Sequence, residues 1–443
     1  MKLVENSVKR TLFDMALPML VGTISMNAYN LADTWYVSRL GTIPLAAMGF
    51  TFPVVMLFTF VAGGIGTGIT AITSHAIGRS EKIVASRIVS HGIILMALFA
   101  VVLSVVGYWS MDYVFERLGA SADVLPYIKS YMGIWYIGAI TMVFPMTGNG
   151  ILIAMGDSKS ASLFMATGAL LNCILDPIMI YGWIGFPAMG IAGAAVATVV
   201  AQAIAALWLY YLLTKKHALF QLKIPNVKEL ARSVRKILGF AIPGSISMML
   251  MPISAGVITA LISRHGNEAV AAVSAAGRME MFAFVIPMAL GMSLMPFISQ
   301  NYGAGRIDRI RLAKEYSTVF AFVYGVFIAL AFYATAPILS RIFTKDPVVA
   351  DVFILYVRTV SFGYGMMEIH RYCGFIMTGM HKPVLATALN AFRVVVLLIP
   401  VSYAGNALYN IRGIFYGRLF TDLLAGVVGL LWVATVLKKN NRL

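Results

Sequence analysis

Apolar residues run through this chain in long blocks, cut by short clusters of charge, glycine and proline. The blocks fall at about 11–37, 44–73, 88–111, 130–155, 160–182, 189–214, 236–262, 269–299, 315–338, 350–378, 384–403 and 411–437. A helix needs about 20 apolar residues to cross the hydrocarbon core of a bilayer, so the pattern predicts an all-α polytopic membrane protein with twelve transmembrane helices. The longest polar stretch, Lys215 to Lys236, lies between the sixth and seventh blocks. The expected organisation is an N-terminal lobe at 1–214, a cytoplasmic linker at 215–235 and a C-terminal lobe at 236–443.

The pattern is written twice. ALP at 16–18 returns as AIP at 241–243, SRLG at 38–41 as SRHG at 263–266, Gly66 as Gly291 and Ser74 as Ser299, all at an offset of 225. Farther on, Gly156 pairs with Gly379 and Pro177 with Pro400 at an offset of 223. A shared register over this length marks an internal duplication. The offset spans six helices, an even number, so the halves have the same membrane orientation. Parallel halves suit an alternating-access transporter.

Composition confirms the class and limits the function. Of 443 residues, 60% are hydrophobic and only 12% charged, against roughly a quarter charged in soluble domains. That leaves no room for a large extramembrane enzyme. The net charge of +16 would suggest nucleic acid in a soluble protein, but here it reports topology. With both ends placed in the cytoplasm, 22 of the Lys and Arg residues fall in inner segments and seven in outer ones, as the positive-inside rule requires. The expected location is the cell's inner (plasma) membrane, with multiple passes, and no nucleic-acid partner. Cys173 and Cys373 both lie in apolar blocks, so no disulfide or Cys-rich metal site is expected. The N-terminal segment lacks the pattern of a removable signal peptide.

Because the chain carries two copies of one unit, each position can be compared with its twin. Helix 1 has Asn27, Asn30 and Asp33 at a spacing of three, read as one polar stripe; the counterparts are Pro252, Ala255 and Ile258. In helix 5, Asn172 and Asp176 share a face at i, i+4, and their counterparts are Val395 and Ile399. Only the first half therefore carries two intramembrane carboxylates. Such a group is costly at membrane depth, so it faces a cavity, finds a partner or takes up a proton. The pair can load H⁺, or hold Na⁺ with the Asn172 amide and a hydroxyl such as Thr198. The alternative is that Asp33 and Asp176 only cap kinked helices or bond across the bundle.

The second half has buried charges of its own: Arg278 and Glu280, Glu368 and Arg371, Arg393, and Arg418 with Asp422. These either neutralise one another or leave Glu280 and Glu368 to bind a cationic substrate. Pro18 in helix 1 frees a backbone carbonyl and permits a bend that would displace the polar stripe. There is no GxxxxGK[ST] phosphate loop, no HExxH and no paired CxxC, and no nucleophile-and-base set for a membrane-embedded enzyme. Energy must come from an ion gradient or from the substrate's own.

The segments ALPML, NLADTWYVSRLGTIPLAA, GNGILIAMGDSK, LLNCILDPIMIYG, GIAGAAVATVVAQ and SQNYGAGR together resemble the multidrug and toxic compound extrusion (MATE) transporters, in particular the prokaryotic branch named for DNA-damage-inducible protein F. The resemblance covers essentially the whole chain. It implies a V-shaped pair of six-helix lobes, rocker-switch alternating access and export of amphipathic, often cationic drugs in exchange for H⁺ or Na⁺, with no other cofactor. It also implies a cation site at Asp33, Asn172, Asp176 and Thr198, with Tyr131 and Asn149 as neighbours in that lobe, and a helix-1 bend at Pro18. Helix 7 carries no acidic residue, which argues against a cation site there. A lipid-linked precursor flippase of the same superfamily is the alternative; it would show a cationic central cavity and usually extra helices. The expected partners are small amphipathic molecules and the lipid bilayer, and the chain is expected to act as a monomer.

Overall fold

The computed structural model describes residues 3–220 and 226–440; residues 221–225 of the expected linker lie outside it. All regular structure among the described residues is helical. The helices are α1 (Val8–Ser38), α2 (Thr42–Gly78), α3 (Lys82–Arg117), α4 (Leu125–Ala154), α5 (Ser158–Tyr181), α6 (Ile191–Tyr211), α7 (Val227–Ile262), α8 (Asn267–Gly303), α9 (Ile307–Phe343), α10 (Pro347–Val360), α11 (Tyr364–Gly379), α12 (Pro383–Ala391) and α13 (Ile399–Asn440).

Among the described residues, ten helical stretches are long and apolar enough to cross a membrane. One joins α10 and α11 through the tight turn Ser361–Gly363. Another runs from Pro383 to Lys439, 57 residues, which at about 1.5 Å per residue would far exceed a bilayer core of about 30 Å. It is two spans. At Tyr409 and Asn410 the backbone leaves helical geometry, with Asn410 at φ 52° and ψ −139°. The chain doubles back so tightly that a Cβ on Gly413 would lie 1.8 Å from the Gly405 carbonyl oxygen. Two glycines at facing positions are what let the limbs of this hairpin touch. With the hairpin counted as two and α1 added, the helices correspond to the twelve predicted blocks.

The described helices gather into two compact units, one of residues 17–220 with 226–245 and one of residues 3–16 with 246–440. The division does not fall at the polar linker. Instead α1 and α7 are each shared: the start of α1 packs with the second half of the chain, and the start of α7 packs with the first. The changeover comes at Ala16–Leu17 in α1 and at Ser245–Ile246 in α7, next to the repeated prolines Pro18 and Pro243.

Each exchanged arm is fastened by polar contacts. In the first unit Arg87 bonds Glu229 at 3.1 Å and His91 bonds Ser233 at 2.9 Å. In the second, buried Arg309 donates to the carbonyls of Leu3 at 3.0 Å and Asn6 at 2.6 Å and to Asn301 Oδ1 at 2.7 Å. The core of the second unit forms where Ala269, Ala272, Ala276 and Ala283 of α8 meet Phe353, Tyr356 and Val357 of α10. The alanine spacing places one smooth helical face against the aromatic residues.

Candidate functional site

In the first unit α1 and α5 run side by side and parallel, joined at both ends. The Ser162 hydroxyl donates to the Pro18 carbonyl, and the Tyr181 hydroxyl donates to the Tyr36 carbonyl at 2.6 Å. These contacts are offset by 144 and 145 residues; the same register brings Asp33 of α1 to Asp176 of α5. The two carboxyl groups interact electrostatically.

Asp176 is fully buried and Asn172 nearly so. With its amide turned to satisfy both neighbours, Asn172 donates to the two carboxylate oxygens of Asp176 at 2.8 and 3.0 Å and accepts from the Thr198 hydroxyl at 3.2 Å. Tyr131 of α4 is buried within electrostatic range of both acids. Asp33, Asp176, Tyr131 and Thr198 each lie five to seven residues from the ends of their helices at one end of the unit. Asp33 Oδ1 is buried without a hydrogen-bond partner. A buried carboxylate oxygen without a partner, near a second carboxylate, is costly unless it takes up a proton or a small hard cation. Among the described residues no three His, Cys, Asp or Glu side chains gather as a metal cluster. A cation here would rest on the carboxylate oxygens of Asp33 and Asp176, while Asn172, donating to Asp176 and accepting from Thr198, holds the Asp176 carboxylate in place.

Tyr29 was not singled out from the sequence. It sits one turn before Asp33 on α1, within hydrogen-bond reach of Thr198 and close to both acids. An i, i+4 spacing from Asp33 was the available signal. Asn27 and Asn30 do not form one stripe with Asp33: both are exposed. Steps of three fall 60° short of a full turn each time, so Asn27 and Asp33 stand about 120° apart around a 3.6-residue helix. Asn149 is also elsewhere. It is 18 residues from Tyr131 along α4, about 27 Å, and its amide donates to Met165 Sδ at 3.2 Å. Met165 in turn packs on Gly22, one turn beyond Pro18, so Asn149 neighbours the Pro18 segment and not the acids.

In the second unit the interior acids lie beside arginines. Glu280 is held by Arg418 and by the Tyr356 hydroxyl at 3.2 Å, and Arg418 also contacts Tyr356. Asp422, fully buried, takes the Arg393 guanidinium at 2.6 Å. Glu368 pairs with Arg371 at 3.2 Å. Arg393 lies in the wider π-helical turn Phe392–Leu398 between α12 and α13, a distortion common where a side chain must be re-aimed. Glu280, Asp422 and Glu368 thus each lie beside an arginine, although both Glu368 oxygens and Asp422 Oδ2 lack a hydrogen-bond partner.

One ion cluster lies outside the membrane-spanning segments. Asp157, between α4 and α5, caps α5 through the Ser160 amide at 3.2 Å and takes Lys216 at 2.7 Å and His217 at 3.0 Å. Burial alone would raise its carboxyl, but Lys216 and Ser160 outweigh that and hold it down to about 2.

The MatE family profile matches residues 18–178 and 209–404. A FAD transporter of Shewanella oneidensis is 33% identical over 427 residues, 96% of this chain and 94% of that protein. The multidrug export protein MepA of Staphylococcus aureus is 24% identical over 441 residues, 97% of this chain and 94% of that protein. Among solved structures, the bent form of the Vibrio cholerae MATE transporter VcmN aligns with a TM-score of 0.93 at 28% identity, covering 98% of both chains.

Proposed function

The chain belongs to the MatE family, whose members are transporters and not enzymes, and from that premise we propose that it is a cation-coupled exporter whose coupling site is Asp33 with Asp176, Asn172 and Thr198. The observation that carries this reading is the pair of carboxylates in one half of a duplicated chain, Asp176 fully buried and Asp33 with a buried, partnerless oxygen. Uptake of H⁺ or Na⁺ neutralises the pair and removes the repulsion between α1 and α5. Release restores it. Because α1 carries Pro18 on the same segment and α5 grips the Pro18 carbonyl through Ser162, the change at the acids reaches the bend and drives a rocker-switch exchange between inward- and outward-open forms. The protein works as a monomer in the plasma membrane, with both ends in the cytoplasm and small amphipathic molecules as cargo. It needs no nucleic-acid partner, and the ion is its only cofactor.

The test is efflux from proteoliposomes under a pH gradient alone and a sodium gradient alone. Asp33→Asn keeps shape and hydrogen bonding but cannot change charge, so it is expected to abolish gradient-driven export in a folded protein. Full export by that variant would remove Asp33 from the coupling step.

A second reading concerns the cargo. The relative that is 33% identical is named a FAD transporter, whereas the multidrug relative given above is 24% identical. That favours an aromatic, phosphate-bearing substrate over the cationic drugs first expected.

A further inference from the structure

Residues 278–280 of α8, Arg-Met-Glu, put opposite charges on opposite sides of the helix, because two residues turn it by about 200°. Glu280 points inward with the alanine face and is taken by Arg418. Arg278 points outward. It is exposed and has no hydrogen-bond or ion-pair partner among the described residues.

Its depth makes this notable. Arg278 is 11 residues into α8, about 16 Å along the axis, so it lies well inside the apolar span. An arginine at that depth is costly against lipid and faces water or a ligand instead. The interior acids of the unit are engaged elsewhere: Glu280, Asp422 and Glu368 each lie beside another arginine. Arg358, the remaining membrane-embedded arginine of α10, donates to the Tyr333 carbonyl at 3.1 Å and stacks on that ring. Arg278 is thus left as an uncompensated cation. On the same exposed face stand Ser274 one turn before it and Met281 and Phe282 one turn after, the last two exposed by 61% and 74%.

We propose that Arg278 is the residue that recognises the charge of the cargo, and that the exported class is amphipathic anions joining a planar aromatic system to a phosphate or carboxylate. A guanidinium fork grips both oxygens of such a group. Helical side chains lean toward the N-terminus, which brings Phe282 back over the same patch as an aromatic surface. The interior acids Glu280, Glu368 and Asp422 each lie beside an arginine, which disfavours a cationic drug. The inference rests on the export reading and specifies its substrate.

The experiment measures FAD and ethidium transport by wild type, Arg278→Gln and Arg278→Lys in the same proteoliposomes. Loss of a charge-assisted pair to phosphate is worth about tenfold or more, so the ratio of FAD to ethidium rates is expected to fall by about that factor in Arg278→Gln and to recover in part in Arg278→Lys. An unchanged ratio in Arg278→Gln overturns the proposal, whether both rates persist or both fall together. Ethidium transport without FAD transport by wild type overturns it too and leaves export standing. Wild type that moves neither probe refutes the export reading itself.

Discussion

Removing Glu280 and Arg418 one at a time and together tests whether the second unit's acids serve stability or cargo. Glu280→Leu leaves Arg418 with the Tyr356 hydroxyl and with Asp422 at 3.9 Å, and its side chain is 23% exposed. Breaking a buried pair costs about 3–5 kcal/mol, and this residual company puts the variant at the lower end, about 3 kcal/mol. Arg418→Leu strands Glu280, only 10% exposed, with a single hydroxyl, and belongs at the upper end, about 5 kcal/mol. The double variant restores neutrality because Asp422 keeps Arg393. It leaves one unpaired buried hydroxyl on Tyr356, about 1–3 kcal/mol, so the double variant is more stable than Arg418→Leu alone. Denaturant unfolding of purified protein in micelles, followed by tryptophan fluorescence, gives the three values. Additive losses would show that no pair exists. Glu280→Leu with unchanged stability but lost cation export would make Glu280 a cargo ligand and refute the neutralisation argument.

Two further outcomes follow from particular contacts. Asp157→Asn keeps the helix cap but loses the attraction to Lys216, at an expected cost of about 1–2 kcal/mol at pH 7. The Asp157 carboxyl lies below its ordinary value when folded, so its contribution is complete above about pH 4 and disappears as pH falls toward 2; the stability gap between variant and wild type in acid titrations should close over that window. Gly413→Val would drive a side chain into the Gly405 backbone and open the hairpin, lowering the yield of folded protein in size-exclusion profiles, whereas Asn410→Gly relieves a positive φ and is tolerated.

The helices were legible because apolar length is dictated by the bilayer, and the duplication was legible because a fixed offset survives in spacing. The acids were legible by comparison, since Asp33 and Asp176 stand where the twin half has Ile258 and Ile399. Their meeting depends on the parallel register of α1 and α5, which no residue pattern announces. A spacing of three does not make one helical face, so Asn27 stands apart from Asp33, whereas the i, i+4 spacing of Tyr29 from Asp33 does mark a shared face. The pairing of Glu280 with Arg418 joins α8 to α13, 138 residues apart, and sequence shows only that both are charged. The unit boundary was invisible for another reason: polarity marks where the chain leaves the membrane, while packing assigns each arm to its unit.

That assignment has a consequence for how such a chain arose and how it can be divided. Two units that trade the first stretches of α1 and α7, at equivalent points in the repeat, have the form left by joining two copies of a dimer whose subunits had swapped N-terminal arms. The ancestral half would have been complete only as a pair. A gene interrupted within residues 221–225 therefore yields two fragments, each missing an arm that the other carries, and co-expression should rescue what neither fragment achieves alone.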